Sequence, residues 1–266
     1  MGLPWVYQVP SPVLGGLIVT VFVGAAIGGL WVSRRLVGPP AAAHNDLAGF
    51  LYSVVGVLYA VLLGLTAVAA WDDFQDIKRT AVQEANALQN LVHGLAAFPE
   101  PTRSHLQALS ERYVRMVVTE EWPAMHRAQP SPRTQEAADA LIRGWVLVQP
   151  RTPAETVLFE SSLNQMQTFL AQRQLRINSA EEGIDPLMWG ILLFGAALTI
   201  GFSFFFWAEN VGIHAFLTGC LAALLAIIVY WILIYDHPLW GRVRVSPAPF
   251  VSILTELEAQ RAAGPR

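Results

Sequence analysis

Apolar residues collect into four long runs along this chain, at 13–32, 48–70, 187–207 and 213–235, and none of the four contains Asp, Glu, Lys or Arg. Each is close to the roughly 20 residues that a helix needs to cross a hydrocarbon core about 30 Å thick. The runs therefore predict four transmembrane helices. Helix-start chemistry precedes every one: Ser11-Pro12, His44-Asn45-Asp46, Asp185-Pro186 and Asn210 offer a capping side chain or a proline suited to the first helical position. Short connections, RRLVGPPAAAHND and AENVG, join the runs in pairs, so the pattern predicts two helical hairpins. The first run is too long for the apolar core of a secretory signal, and its N-terminal flank carries no basic residue.

Between the hairpins the pattern changes to the three-and-four spacing of amphipathic helices. Phe74, Ile77, Ala81, Leu88, Leu91, Leu95 and Phe98 recur with no proline among them. The second membrane helix is therefore expected to continue past the bilayer as one rod, about 80 Å long at 1.5 Å per residue. Leu106, Leu109, Tyr113 and Met116 or Val117 mark a helix over 101–121 that Trp122-Pro123 should end, and Leu141, Ile142 and Trp145 mark a shorter one over 133–148, opened by Ser131-Pro132. Phe159, Leu163, Met166, Leu170 and Ile177 put one apolar stripe on a helix over 154–182, stopped by Gly183. After the last run, Ser246 starts an amphipathic tail helix through Phe250, Ile253, Leu254 and Leu257. The expected fold class is all-α. It is a polytopic membrane protein with four transmembrane helices as two hairpins, a helical bundle over 72–185 inserted between the second and third, and a tail over 236–266. Residues 1–266 read as a single folding unit.

Composition removes several functions. An apolar share of 54% with only 14% charged residues fits a chain solvated by lipid. Seventeen basic residues scattered among twenty acidic ones form no basic block, which argues against a nucleic-acid partner. Cys220 is the single cysteine, so no intrachain disulfide or multi-cysteine metal site is expected, and it reads as a small residue packed between helices. The six histidines lack metal-site spacing, and neither a phosphate-binding glycine loop nor G-x-S-x-G occurs. No enzyme, cofactor or metal is expected. The runs also lack the ionisable residues that proton relays and ion-coupled transporters place near the midplane.

What stands out is a stripe of small residues on the second run: Gly49, Ser53, Gly56, Ala60, Gly64 and Ala67 recur at spacings of four and three, with Tyr52, Tyr59 and Thr66 on the neighbouring face. Such a face lets membrane helices pack closely. Repeated in several copies of the chain, it can also line a weakly polar pore. Both readings apply to Gly49, Ser53, Gly56, Tyr59, Ala60, Gly64 and Ala67, whereas Gly24 and Gly28 on the first run read as packing alone. Asp72, Asp73 and Asp76 cluster where the second helix leaves the bilayer, either as a solvated face or as a ring that attracts cations. Glu209 and Asn210 are expected to cap the fourth helix, with His214 one turn further on, and Asp236 to pair with Arg242 or Arg244.

The stretch HNDLAGFLYSVVGVLYAVLLGLTAVAAWDDF (44–74), followed by EANAL (84–88), EEWPAM (120–125) and YDHPLWGRVRVSPAPFV (235–251), resembles the bestrophin-like family of bacterial membrane proteins over residues 44–257. The resemblance implies a distant likeness to bestrophins, ligand-gated anion channels with four membrane helices, a helical cytosolic region and a pentameric assembly whose second helix lines the pore. Pro238-Leu239 and Gly241 after the last span are similar to the Pro-Phe-Gly of bestrophins. Two features depart from that pattern. The bestrophin neck is bulky and apolar where this stripe is small, and Arg242 and Arg244 stand where bestrophins carry an acidic calcium clasp. Calcium gating and anion selectivity are therefore not implied for this chain.

Four crossings put both termini and the insert on one side. Lys78, Arg79, Arg173, Arg176, Arg242 and Arg244 lie near the membrane ends on that side, against Arg34 and Arg35 on the other, which favours a cytoplasmic insert. The first run alone, uncharged before and followed by Arg34-Arg35, favours the reverse, and the resemblance decides for the cytoplasm. The expected function is a homo-oligomeric ion channel of the cell membrane, pentameric on the resemblance, whose partners are the lipid bilayer, further copies of itself and inorganic ions. The alternative is a non-conducting membrane-anchored scaffold or signalling protein.

Overall fold

The computed structural model describes residues 9–36, 42–125, 129, 131–180, 183–206, 208–240 and 243–262, with no strand among them. In chain order the helices are α1 (Ser11–Leu36), α2 (Ala42–Gly94), α3 (Thr102–Met116), α4 (Trp122–Met125), α5 (Pro132–Val146), α6 (Pro153–Ser179), α7 (Pro186–Ser203), α8 (Val211–Tyr235) and α9 (Ala248–Ala262). The chain divides into two compact units. One comprises Met1–Asp73, Gly183–His237 and Gly241–Val243, the other Phe74–Glu182, Pro238–Trp240 and Arg244–Arg266.

In the first unit α1, the leading part of α2, α7 and α8 have the length and apolar character of membrane spans. Their exteriors agree: Val57, Leu58, Phe194 and Phe216 are 64%, 67%, 68% and 69% exposed, a surface suited to lipid rather than water. Two helix starts follow the expected chemistry. The Asp185 carboxylate accepts from the Leu187 amide at 2.6 Å ahead of Pro186, and the Asn210 side chain accepts from the Gly212 and Ile213 amides at 2.9 and 3.2 Å. The start of α2 differs. Its backbone is helical from Ala42, ahead of His44-Asn45-Asp46. α7 ends at Ser203, short of 207, because the amides of Phe204 and Phe205 tighten onto the carbonyls of Gly201 and Phe202, each at 3.1 Å.

α1 packs chiefly along α8. The Tyr230 ring lies 3.2 Å from where a Gly15 side chain would begin, and its hydroxyl donates to the Ser11 carbonyl at 2.8 Å. Phe204 comes within 2.7 Å of the corresponding point at Gly29. At Gly24 and Gly28 nothing lies within 4 Å, so the close approaches of α1 within the chain fall at Gly15 and Gly29 rather than at the expected pair. Cys220, expected between helices, is exposed on α8.

In the second unit α2 continues unbroken to Gly94, and Ile77, Ala81, Leu88, Leu91, Leu95 and Phe98 are buried as their spacing predicts. Trp122-Pro123 does not end the helical path. Met116 is followed by a π-helical turn over Val117–Glu121 and then by α4. The wider ring shifts the hydrogen-bond register ahead of Pro123, whose missing N–H falls in the first turn of α4. The inward face of α6 is also not the apolar stripe. Ser162, Met166, Phe169, Arg173 and Arg176 are buried, while Phe159, Leu163, Leu170 and Ile177 are only half-buried.

Candidate functional site

α2 turns about 100° per residue, so its membrane part presents distinct faces. One is internal: Tyr59, Leu63 and Ala70 join Leu192, Ala196, Leu225, Val229 and Ile232 in the core of the first unit. The Tyr59 hydroxyl donates to the Leu192 carbonyl at 2.7 Å, and its ring fills the place that a Gly195 side chain would need. Thr66 is buried as well, its hydroxyl donating to the Leu62 carbonyl at 2.9 Å.

The small residues flank that face. Gly49, Gly56 and Ala67 are half-buried, whereas Ser53, Ala60 and Gly64 are exposed. A Cβ at Gly49 would meet the Phe206 ring at 3.7 Å, but at Gly56 or Gly64 it would meet nothing within 4 Å. Ser53 donates to the Phe50 carbonyl at 2.7 Å. Further round, Val57, Val61, Leu65 and Val68 are exposed. The chain thus turns Tyr59 inward and Ser53, Ala60 and Gly64 outward. Asp72, Asp73 and Asp76 are all exposed. Asp76 accepts from Arg79 at 2.8 Å, a solvated pair of the kind worth about 0–1 kcal/mol. The Asp236 carboxylate accepts from the Ile184 amide at 2.6 Å and the Trp189 indole at 3.3 Å; of its two expected partners, Arg242 and Arg244, the first lies outside the described residues.

The second unit contains a buried ionic cluster. Arg176, with no exposed side-chain surface, donates through Nε and Nη2 to Glu84 at 2.6 and 3.0 Å and through Nη2 to Glu121 at 2.7 Å. Arg173 makes a two-pronged contact with Glu121 at 2.8 and 2.9 Å and reaches the Tyr113 hydroxyl at 3.2 Å. That hydroxyl donates to Glu84 at 2.8 Å. Two carboxylates face two guanidiniums, so the cluster is neutral as a whole, and each charge is multiply hydrogen-bonded as burial demands.

Burial works against the charge of Glu121, but Arg176 and Arg173 outweigh it and hold its carboxyl below the ordinary value. Burial likewise disfavours the Arg176 cation, and Glu84 and Glu121 more than reverse this, raising its pKa well above the usual value. Tyr113 is pushed far up by burial and by the Glu84 charge. It remains a neutral donor.

The sequence profile of the Bestrophin-like domain matches residues 20–250, most of the chain. The protein belongs to the Bestrophin-like family. A bacterial bestrophin homologue from Klebsiella pneumoniae superposes with a TM-score of 0.69 at 12% identity, over 94% of this chain and 99% of that one. A single-residue variant of a Klebsiella pneumoniae bestrophin homologue gives 0.64 at 12% identity over 93% and 97%. A crystal structure of a variant membrane protein gives 0.69 at 14% identity over 94% and 99%. At these identities the likeness is one of fold: an all-helical membrane protein with four membrane-spanning helices. No curated protein matches the sequence.

Within this Bestrophin-like fold, the ionic cluster is what sequence reasoning missed. Glu84 and Glu121 stand inside two of the stretches that carried the resemblance, EANAL and EEWPAM, yet their spacing alone assigned them no partner. The available signal was on α6. Ser162, Met166, Phe169, Arg173 and Arg176 recur at alternating steps of four and three, which continues an inward face through two arginines and calls for buried acids opposite them.

Proposed function

We propose that this Bestrophin-like membrane protein is a non-enzymatic, homo-oligomeric ion channel whose pathway follows the outward flank of α2. The observation that carries the reading is the direction of the small stripe: Ser53, Ala60 and Gly64 are exposed, and Gly56 and Gly64 have open space where a side chain would start. The part of the stripe at Ser53, Ala60 and Gly64, exposed in its own chain, is free to face copies of itself or a lumen. It carries no fixed charge, so an ion could pass without being trapped. Tyr59 and Thr66 use their hydroxyls inside the subunit, which leaves Ser53 as the hydroxyl on this flank. In this reading the termini and the insert lie in the cytoplasm, and both compact units work as one subunit. Several copies, five by family likeness, surround one axis, and Asp72, Asp73 and Asp76 draw cations to its mouth.

A second reading, a non-conducting scaffold, draws support from Val57, Val61, Leu65 and Val68. These bulky apolar residues share the outward side of α2 and suit lipid or a protein neighbour. Reconstitution at low protein density separates the two. A channel dissipates an imposed chloride or potassium gradient, and Ser53→Leu slows that flux with the oligomer intact. An intact oligomer that passes neither ion, across pH and calcium titrations, favours the scaffold.

A further inference from the structure

The helices of the second unit expose surfaces of two kinds. Along α3, α5 and α9 charged side chains face water: Arg112, Arg133, Glu136, Arg143, Glu258 and Arg261 are all exposed. Along α2 and α6 none does. Over 80–92 the only charged residue of α2 is Glu84, and over 161–179 the only ones of α6 are Arg173 and Arg176; all three are buried in the ionic cluster. What these two stretches expose instead are amides, Gln83, Asn86 and Asn90 on α2 and Asn164, Gln167 and Gln174 on α6, at spacings that keep each set on one helix face. The helices run antiparallel and side by side. Arg176 reaches Glu84, Asn90 donates to Gln165 at 3.3 Å, and a Cβ on Gly94 would meet the Ser162 hydroxyl at 3.4 Å. In that register Val82 and Leu175, 38% and 52% exposed, stand at one level of the amide face.

The charged helices show what a water-facing surface of this unit carries, and depletion of charge marks the core of an interface. An amide both donates and accepts, so a face of amides fits a copy of itself in whichever order the side chains meet. Exposed arginines such as Arg133 and Arg143 would repel their own copies. With no fixed charge, the face offers nothing to steer a nucleic acid, an anionic membrane surface or a charged protein onto it. Its size also suits a second copy. At 1.5 Å per residue the 161–179 stretch is about 28 Å long, and two helices about 10 Å wide give roughly 560 Å², about two-thirds of the roughly 800 Å² that one partner brings to a standard interface.

We propose that the uncharged amide face of α2 and α6 is where one copy of this chain meets the next outside the four apolar runs. The inference names a contact surface of the homo-oligomer proposed above and rests on that assembly, but not on conduction.

The test puts charge on both helices of the face in the full-length protein. Gln83→Lys with Gln167→Lys, and Gln83→Glu with Gln167→Glu, are purified separately and after co-expression, and assembly is followed by mass photometry in detergent on dilution. Each pair alone sets like charges together, so the concentration for half-assembly should rise at least about tenfold at about 50 mM salt and fall back at about 500 mM as the charges are screened. Co-expressed, the two should form mixed oligomers that resist dilution as the wild type does. Ser252→Lys with Ala259→Lys, at exposed positions of α9, should leave assembly unchanged. A monomeric wild type overturns the homo-oligomer and this face together. An oligomer indifferent to the lysine and glutamate pairs, one weakened equally by the α9 pair, or a loss that co-expression does not repair overturns this face alone. A second readout adds no charge: in a Cys220→Ser background, Asn86→Cys should be shielded from a maleimide in the oligomer and labelled once the chains separate, whereas Ser252→Cys is labelled in both. Labelling of Asn86→Cys in the intact oligomer overturns the proposal, and shielding found in cell membranes but not in the purified oligomer gives the face to a different protein.

Discussion

Replacing Arg176 with Met removes the hub of the buried ionic cluster but keeps an apolar stem between Trp122 and Phe250, whose rings lie 4.8 and 5.7 Å from the guanidinium carbon. Glu121 retains Arg173. Glu84 retains only the Tyr113 hydroxyl at 2.8 Å and is left as a carboxylate with no exposed surface. Breaking a buried pair in this way costs about 3–5 kcal/mol. At roughly 2–4 °C of Tm per kcal/mol for chains of this size, the midpoint should fall by roughly 6–20 °C. Adding Glu84→Gln removes the orphaned charge, so the double variant should recover more than half of that loss. The assay is size-exclusion recovery of detergent-solubilised full-length protein after heating. A single variant melting within about 2 °C of wild type, under 1 kcal/mol, or a double variant no more stable than the single, refutes the account of the cluster as a mutually dependent set.

Gly195→Ala should destabilise the protein because the Tyr59 ring occupies its Cβ position, whereas Gly56→Ala enters open space and should be neutral; if Gly56→Ile alone lowers oligomer recovery, the loss reports a contact between copies. Acid sensitivity follows from Glu121, whose depressed folded pKa means that its stabilisation is complete above the unfolded value of about 4.3, declines as pH falls from there and is gone below the folded value. Melting curves from about pH 6 to about pH 3 should therefore show a loss of stability that Glu121→Gln reduces, and an unchanged slope in that variant would assign the loss elsewhere. For orientation, Cys220→Ser with Gln129→Cys places one thiol on an exposed loop of the second unit. An impermeant maleimide should label it only after lysis, and labelling of intact cells would put the insert outside.

Much of the fold was legible because lipid makes a strict demand: four uncharged runs of this length have the character of spans, and Asp185 and Asn210 cap where their positions say. Boundaries that depend on local hydrogen-bond register were less legible. The π turn before Pro123 and the early start of α2 depend on which carbonyl an amide finds, and residue type does not encode that. The α6 face was misread because apolar residues define an inward stripe only when no buried charge competes for it. Arg173 and Arg176 displaced the stripe through carboxylates 52 to 92 positions away, from Glu121 opposite Arg173 to Glu84 opposite Arg176. They also complicate the charge count used for orientation, since both of these basic residues are structural. On α2 the small stripe was visible, but which of its neighbours turns inward needed the Tyr59–Gly195 contact.

The central claim, that the flank of α2 bearing Ala60 and Gly64 faces a conducting pathway, is tested most directly by blocking that flank from water. In a Cys220→Ser background, Ala60→Cys, Gly64→Cys and Leu58→Cys each place one thiol on α2. Leu58 is 67% exposed, and it lies roughly 160° round the helix from Ala60 at about 100° per residue. Treated in liposomes with a charged, water-soluble thiol reagent, the variants at Ala60 and Gly64 should lose ion flux and the variant at Leu58 should keep it. Flux that survives modification of both small-flank positions, or that is lost only at Leu58, would contradict the account.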